Sequence, residues 1–299
     1  MAEGILPAEA MDTLADGFQG RVGFYFKDLT TGEVHQYDAD RPSPIASICK
    51  VPVMIELFKQ VDQGRLSLDE RRRLPRGISK HGTGVLGMLE DEPELTLRDF
   101  CRLMIYVSDN MATDVLMDVV GLDAVNATME DLGFHQTRTK MTMGRWHYSM
   151  AGMGDCPPND ENDDAFRGKR LDDDSLPFQD SLENNVASAR DMGVILEKLH
   201  NGQIVSPEAS DEMIKLLKGC TSNTKIPLHL KRGIPVAHKI GSSGRIKGDA
   251  GIVYLPERPL VITVLAVGDE SDAAGNDLIA ELSRLAFRAL SPESLEAGA

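Results

Sequence analysis

Strand-forming runs lie only near the two ends of this chain, and the long stretch between them reads as helix. Val22, Phe24 and Phe26 recur at every second position as on a half-buried strand, and a turn at 30–32 followed by a return at 33–37 makes a hairpin behind a short helix at 7–15. β-Branched and apolar runs come back only at 235–240, 250–255 and 260–267, ahead of a long helix from Asp272 to about Leu290. A sheet needs its strands side by side, so these distant segments must meet. The chain therefore predicts an α/β domain from residues 1–46 and 206–299, with a helical domain, 47–205, inserted into it.

Helix punctuation in the middle supports that division. Thr96 with Asp99 and Ser188 with Asp191 have capping spacing, Gly121 and Gly133 stop helices, and Ser206-Pro207 starts one. One segment, 142–183, fits neither domain: it holds the single tryptophan, Trp146, then Pro157-Pro158 and acidic clusters at 160–164 and 172–174. It reads either as a solvated surface excursion or as a lid over a cleft.

Composition excludes several function classes. Lys and Arg total 32 against 47 Asp and Glu, a formal net charge of −15 with no basic stripe, so no nucleic acid partner is expected. No segment approaches the roughly 20 apolar residues of a membrane span, and the first ten residues lack the basic start and apolar run of an export signal. A cytoplasmic protein with no membrane partner is the expectation. Cys49, Cys101, Cys156 and Cys220 show no Cys-x-x-Cys spacing and read as separate reduced thiols, and the seven histidines show no ligand spacing, so neither metal nor cofactor is expected.

Three short strings carry chemistry: Ser47-Ile48-Cys49-Lys50, Ser108-Asp109-Asn110 and Lys239-Ile240-Gly241. Ser-x-x-Lys alone means little, since roughly one is expected by chance in a chain of this length. A second stands at Ser222 to Lys225, in a polar loop-like stretch, whereas Ser47 precedes an apolar run that can bury a helix. Ser-Asp-Asn alone is also a good helix-joining turn. Their order and context give them a joint meaning, that of a serine acyl-transfer site set in a cleft where the two domains join.

On a helix, Ser47 and Lys50 at i, i+3 share a face. A serine hydroxyl needs a neighbouring base, and a lysine amine serves if desolvation or a second cation, here Lys239, neutralises it. Ser108 is placed to relay a proton and Asn110 to hold a substrate amide. Backbone N–H groups of Ser47 and Ser242 are candidates for an oxyanion hole. Pro52 is awkward so early in a helix and predicts a distorted first turn.

At these residues the chain resembles the class A β-lactamase-related serine hydrolases of the β-lactamase and penicillin-binding protein superfamily. The likeness runs through "ASICKVPV", the stretch from Met104 to Arg138 and "DAGIVYLPERPLVITVLAVG". It implies a β-lactamase/transpeptidase-like fold with an antiparallel sheet. It also implies an acylated Ser47, Lys50 as proton acceptor, Ser108 as relay, Asn110 as partner of Lys50 and substrate, Lys239 as the cleft cation, and Gly241 and Ser242 on the substrate-binding strand. Two departures qualify it. The family's β-lactamases carry Glu-x-x-x-Asn just after the position of Arg138, the Glu activating the deacylating water, whereas this chain reads "TKMTMGRWHYSM" there. His147, Asp155 and Glu161 are the substitutes in range, and the sequence selects none. Ile240 also removes a hydroxyl that in the family helps hold a β-lactam carboxylate. The reading is a serine hydrolase acting through an acyl-enzyme on a small-molecule amide or ester, with β-lactams disfavoured. A genuine β-lactamase or D-Ala-D-Ala peptidase, and a penicillin-binding sensor that stays acylated, are the alternatives.

Overall fold

The computed structural model describes residues 5–268 and 273–298. Helix α1 (Ala8–Asp16) leads into β1 (Gly20–Asp28), and β2 (Val34–Tyr37) turns back on it. The chain leaves the sheet through β3 (Ser43–Pro44) and a 3-10 turn, Ala46–Cys49, from which α2 (Lys50–Asp62) continues. A small ribbon of β4 (Arg71–Arg73) and β5 (Glu94–Thr96) precedes α3 (Leu97–Tyr106), α4 (Asn110–Val120), α5 (Leu122–Asp131), α6 (Met143–Met150) and α7 (Asp160–Arg167). Then β6 (Val186–Ala187) pairs with β3, and α8 (Ala189–His200) and α9 (Pro207–Leu217) return the chain to the sheet. Strands β7 (Val236–Ser243), β8 (Ile246–Leu255) and β9 (Arg258–Gly268) complete it, and α10 (Ala274–Leu290) covers it.

The sheet runs β2-β1-β9-β8-β7 with every pair antiparallel, so the first and last segments of the chain do meet. Side chains alternate across it. Phe24, Phe26, Ile262 and Val264 face α1 and α10, where Met11, Leu278 and Phe287 close one core. Tyr25, Ile252, Val261 and Leu265 face the other way, into the larger core shared with the helical region. Each such aromatic or branched side chain, fully buried, contributes about 1.5–3 kcal/mol. Gly193 lets α8 lie on the sheet, because a β-carbon there would overlap the ring of Tyr25.

Local sequence signals are realised as read at the helix caps. Thr96 accepts from the Asp99 N–H, Ser188 from that of Asp191 and Ser206 from that of Ala209. Pro52 falls in the first turn of α2, where a missing N–H costs little, and the turn before it is 3-10. Strands β7 and β8 run further than their β-branched residues suggest. The β-branched residues mark β7 only to Ile240, and pairing continues through Gly241 with Gly248 to Ser243 with Ile246, so Gly241 and Ser242 lie on the strand as the resemblance implies. The expected start of the last helix at Asp272 lies outside the described residues.

The segment 142–183 joins the core more than its composition suggests. Trp146 and Tyr148 on α6 are fully buried, and Tyr148 stacks on Phe166 of α7 with ring centroids 4.8 Å apart. The acidic run at 160–164 is a helix rather than a solvated coil. Asn159 caps it, and Asp160, Glu161 and Asp163 in its first turn suit the positive end of the helix dipole. Asp163 points inward and accepts from Ser79 Oγ at 2.5 Å, the Lys80 N–H at 2.7 Å and the Tyr148 hydroxyl at 2.8 Å.

Candidate active site

Ser47 lies where the chain passes from sheet to helices. To make that turn Ala46 adopts φ 44°, and across the cleft Ser108 adopts φ 57°; both are in the left-handed region, where a non-glycine residue costs of order 1–3 kcal/mol. In the 3-10 turn, residues three apart eclipse, so Ser47 and Lys50 project from one side of it. Ser47 is 8% exposed and Lys50 is fully buried.

Asp109 builds the opposite wall. Its carboxylate caps α4 through the Ala112 N–H at 2.9 Å and also accepts from Val85 N–H at 2.6 Å and Leu86 N–H at 2.8 Å. The loop before residue 86 is thereby bound to Ser-Asp-Asn, an attachment extended by Asn110 N–H to the Thr83 carbonyl and Thr83 Oγ1 to the Ser108 carbonyl.

Into this frame Lys50 reaches with Nζ 2.8 Å from the Ser108 carbonyl, 3.0 Å from Ser108 Oγ and 2.7 Å from Asn110 Oδ1. Lys239 Nζ approaches from β7, 2.9 Å from the same Ser108 Oγ and 3.1 Å from the Ile240 carbonyl. Two amines thus share one hydroxyl. Burial, reinforced by the positive charge of Lys239, holds Lys50 well below the ordinary lysine range, and burial lowers Lys239 as well.

Strand β7 is an edge of the sheet and passes against the Ser47 turn. A β-carbon at Gly241 would overlap the Ile45 carbonyl oxygen and lie 3.3 Å from Ile48, so only glycine permits this approach. Behind β7 sits Lys225, fully buried, with Nζ 2.8 Å from the Gly241 carbonyl, 2.7 Å from Ser242 Oγ and 3.0 Å from the Gly248 carbonyl. Burial brings its pKa down to about 8.

The sequence model of the Beta-lactamase enzyme family matches residues 6–290. The chain belongs to that family. A β-lactamase of Streptomyces lavendulae is 26% identical over 281 residues, covering 90% of this chain and 82% of that protein. Among solved structures, a β-lactamase from Sphaerobacter thermophilus superposes with a TM-score of 0.76 at 27% identity, covering 94% of this chain and 96% of that one. The structure of PBP-A superposes equally well, TM-score 0.76 at 26% identity, over 95% of this chain and 96% of its own. The β-lactamase-like α/β fold is therefore shared, and this chain is a serine hydrolase of the family, whose members act through an acyl-enzyme.

Of the residues singled out in the sequence, Asn110, Lys50, Ser108 and Lys239 are joined in that order by hydrogen bonds, with Ser47 on the turn that carries Lys50 and Gly241 against that turn. Ser242 lies one residue further along β7, its hydroxyl held by Lys225. Ser222 stays on a partly exposed loop with its hydroxyl 3.4 Å from that of Thr224. Lys225, set aside with it, is brought under β7; its only sequence signal is the apolar Ile226 that follows. His81 and Asp114, which carry no local pattern, come to lie beside Asn110 together with His147.

Proposed function

We propose that Ser47 attacks the carbonyl of a small-molecule amide or ester, with neutral Lys50 as its base and Ser108 as the relay to the leaving group. The convergence of Lys50 and Lys239 on Ser108 Oγ carries this reading. A neutral Lys50 donates its two N–H groups to the Ser108 carbonyl and Asn110 Oδ1, and its lone pair accepts from the Ser108 hydroxyl. Charged Lys239 donates to that same hydroxyl oxygen. The Ser108 hydroxyl then donates to one amine and accepts from the other, and two ammonium charges are not set against one oxygen. When substrate enters, the Ser108 O–H turns to the leaving group and frees the Lys50 lone pair, which takes the Ser47 proton, while a Lys50 proton passes to Ser108 Oγ and the Ser108 proton to the departing nitrogen or oxygen.

Backbone N–H groups of Ser47 and Ser242 are the oxyanion donors in this scheme, each worth roughly 3–4 kcal/mol of barrier. Lys239, with Lys225 and the Ser242 hydroxyl on the far side of β7, favours a substrate bearing an anionic group. The relatives named as β-lactamases support β-lactams as acylating compounds, while Ile240 argues that they are not the preferred ones. Four cysteines without disulfides support action in a reducing compartment such as the cytoplasm.

A fluorophosphonate probe or penicillin should give one adduct by intact mass, mapping to the peptide that contains Ser47, and Ser47→Ala should take up none. Adduct on the Ser222 peptide, or undiminished labelling of Ser47→Ala, would refute the assignment.

A further inference from the structure

We infer that His147 is the base for the water that hydrolyses the acyl-enzyme, with His81 and Asp114 behind it as a proton relay. This rests on Ser47 being acylated and asks what group frees it. Of the three substitutes in sequence range, Asp155 and Glu161 are solvent-exposed, whereas His147 is half-buried on α6. Gly82, at φ 68°, marks its place: a β-carbon there would overlap the Asn110 amide nitrogen and lie 3.1 Å from His147 Cε1. His147 is thus next to the asparagine that holds Lys50.

Hydrogen bonding fixes the ring's tautomer. Asp114 is held as an acceptor by the Met143 N–H at 2.6 Å and the Gly144 N–H at 2.9 Å, and its Oδ2 lies 3.3 Å from His81 Nε2. His81 Nε2 therefore carries the proton it donates to Asp114. A neutral His81 then presents a lone pair at Nδ1, which is 2.9 Å from His147 Nδ1. His147 Nδ1 must carry the proton between them, leaving the lone pair of His147 at Nε2. Burial is the main cause that brings the His147 pKa down to about 3, so the ring is neutral at physiological pH.

A base that weak works by passing the proton on. As water attacks the acyl carbon, its proton goes to His147 Nε2 while the Nδ1 proton moves to His81 Nδ1, so the positive charge ends on His81 beside the Asp114 carboxylate. The new C–O bond sends the carbonyl π pair to the oxyanion. Collapse breaks the bond to Ser47 Oγ, the proton returns through His147, and it reaches Oγ by way of the Lys50 amine. Both imidazoles and Lys50 end as they began, and the product is the free acid.

The test uses p-nitrophenyl acetate, with the burst reporting acylation, the steady state reporting turnover and intact mass reporting acetyl-Ser47. His147→Gln should keep the burst rate within about twofold, accumulate acetyl-Ser47 and slow turnover by roughly 10²- to 10⁴-fold. Hydroxylamine, which needs no base, should release the trapped acetyl group. His81→Gln should give a smaller loss of the same kind, and His147→Glu should recover at least a tenth of wild-type turnover. Turnover of His147→Gln within threefold of wild type overturns the relay, as does equal loss of burst and turnover in both His147 variants, which would make the pair a structural tie. A wild-type acetyl-enzyme that does not turn over also overturns it. A wild-type protein that never acquires an adduct on Ser47 fails the acyl-enzyme reading instead.

Discussion

A lysine amine that must act as a base cannot also be the cation that balances the site, and in the proposed mechanism Lys50 and Lys239 divide these tasks by position. Lys50 is enclosed by protein and loses its proton first, because burial is the larger effect and Lys239 adds repulsion. Only the neutral amine is competent, so acylation should rise with pH through the lowered Lys50 pKa and level off far below 10.5. Replacing Lys239 by Gln removes the repulsion, which raises the Lys50 pKa and moves the rising limb to higher pH, whatever happens to its height. A pH–rate profile for p-nitrophenyl acetate acylation checks this; an unmoved limb in Lys239→Gln would take Lys239 out of the tuning. The Ser47 to Lys50 pair was legible in the sequence because it is local, three residues on one turn with a helix behind it. Lys225, His81 and Asp114 were not, because each is a single residue whose partners arrive from other elements and leave no periodic trace.

Among the elements, β7 concentrates the specificity determinants. Side chains on a strand alternate, so Lys239 and Gly241 project toward the Ser47 turn while Ile240 and Ser242 share the other face. The Ser242 hydroxyl, held by Lys225, is already a polar group on that face, and Ile240 is the position where a second is lacking. A hydrogen bond to a charged group contributes roughly 1.5–3 kcal/mol, about tenfold to a hundredfold in rate if it strengthens toward the transition state. Ile240→Thr should therefore accelerate acylation by a carboxylated penicillin about tenfold or more relative to a neutral ester, measured by stopped-flow burst. An unchanged ratio would mean Ser242 and Lys225 already satisfy the carboxylate. The strand was visible to Ile240 in its β-branched residues, and beyond that only through the resemblance, since glycine and serine favour turns unless a partner strand and a close approach demand them.

On the scale of the whole molecule, the segment 142–183 is tied both to the helices and to the sheet rather than hanging from one of them. Asp163 fastens the loop that carries His81 to α6 and α7, Phe178 is buried, and its carbonyl accepts from Arg21 of β1 at 3.0 Å. Asp180 pairs with Arg21 at 3.1 Å and with Arg41 at 2.7 Å, so the segment ends against the sheet. Its acidic composition hides this, because charges on the outer face of α7 dominate the sequence while the inward residues, Tyr148, Asp163 and Phe166, are few and widely spaced. A lid could be cut away with little cost to folding. Here, replacing residues 155–180 by a short linker removes Phe178, whose burial is worth about 1.5–3 kcal/mol, and leaves the Ser79 and Tyr148 hydroxyls and the Lys80 N–H without Asp163, at about 1–3 kcal/mol for each that stays buried. The melting temperature should fall by about 10 °C or more, on a scale of roughly 2–4 °C per kcal/mol for chains somewhat shorter than this one. Acylation and turnover should weaken together as the His81 loop loosens. A shortened protein that melts within about 2 °C of wild type, with only the Michaelis constant altered, would show instead that the segment is a lid with no structural duty.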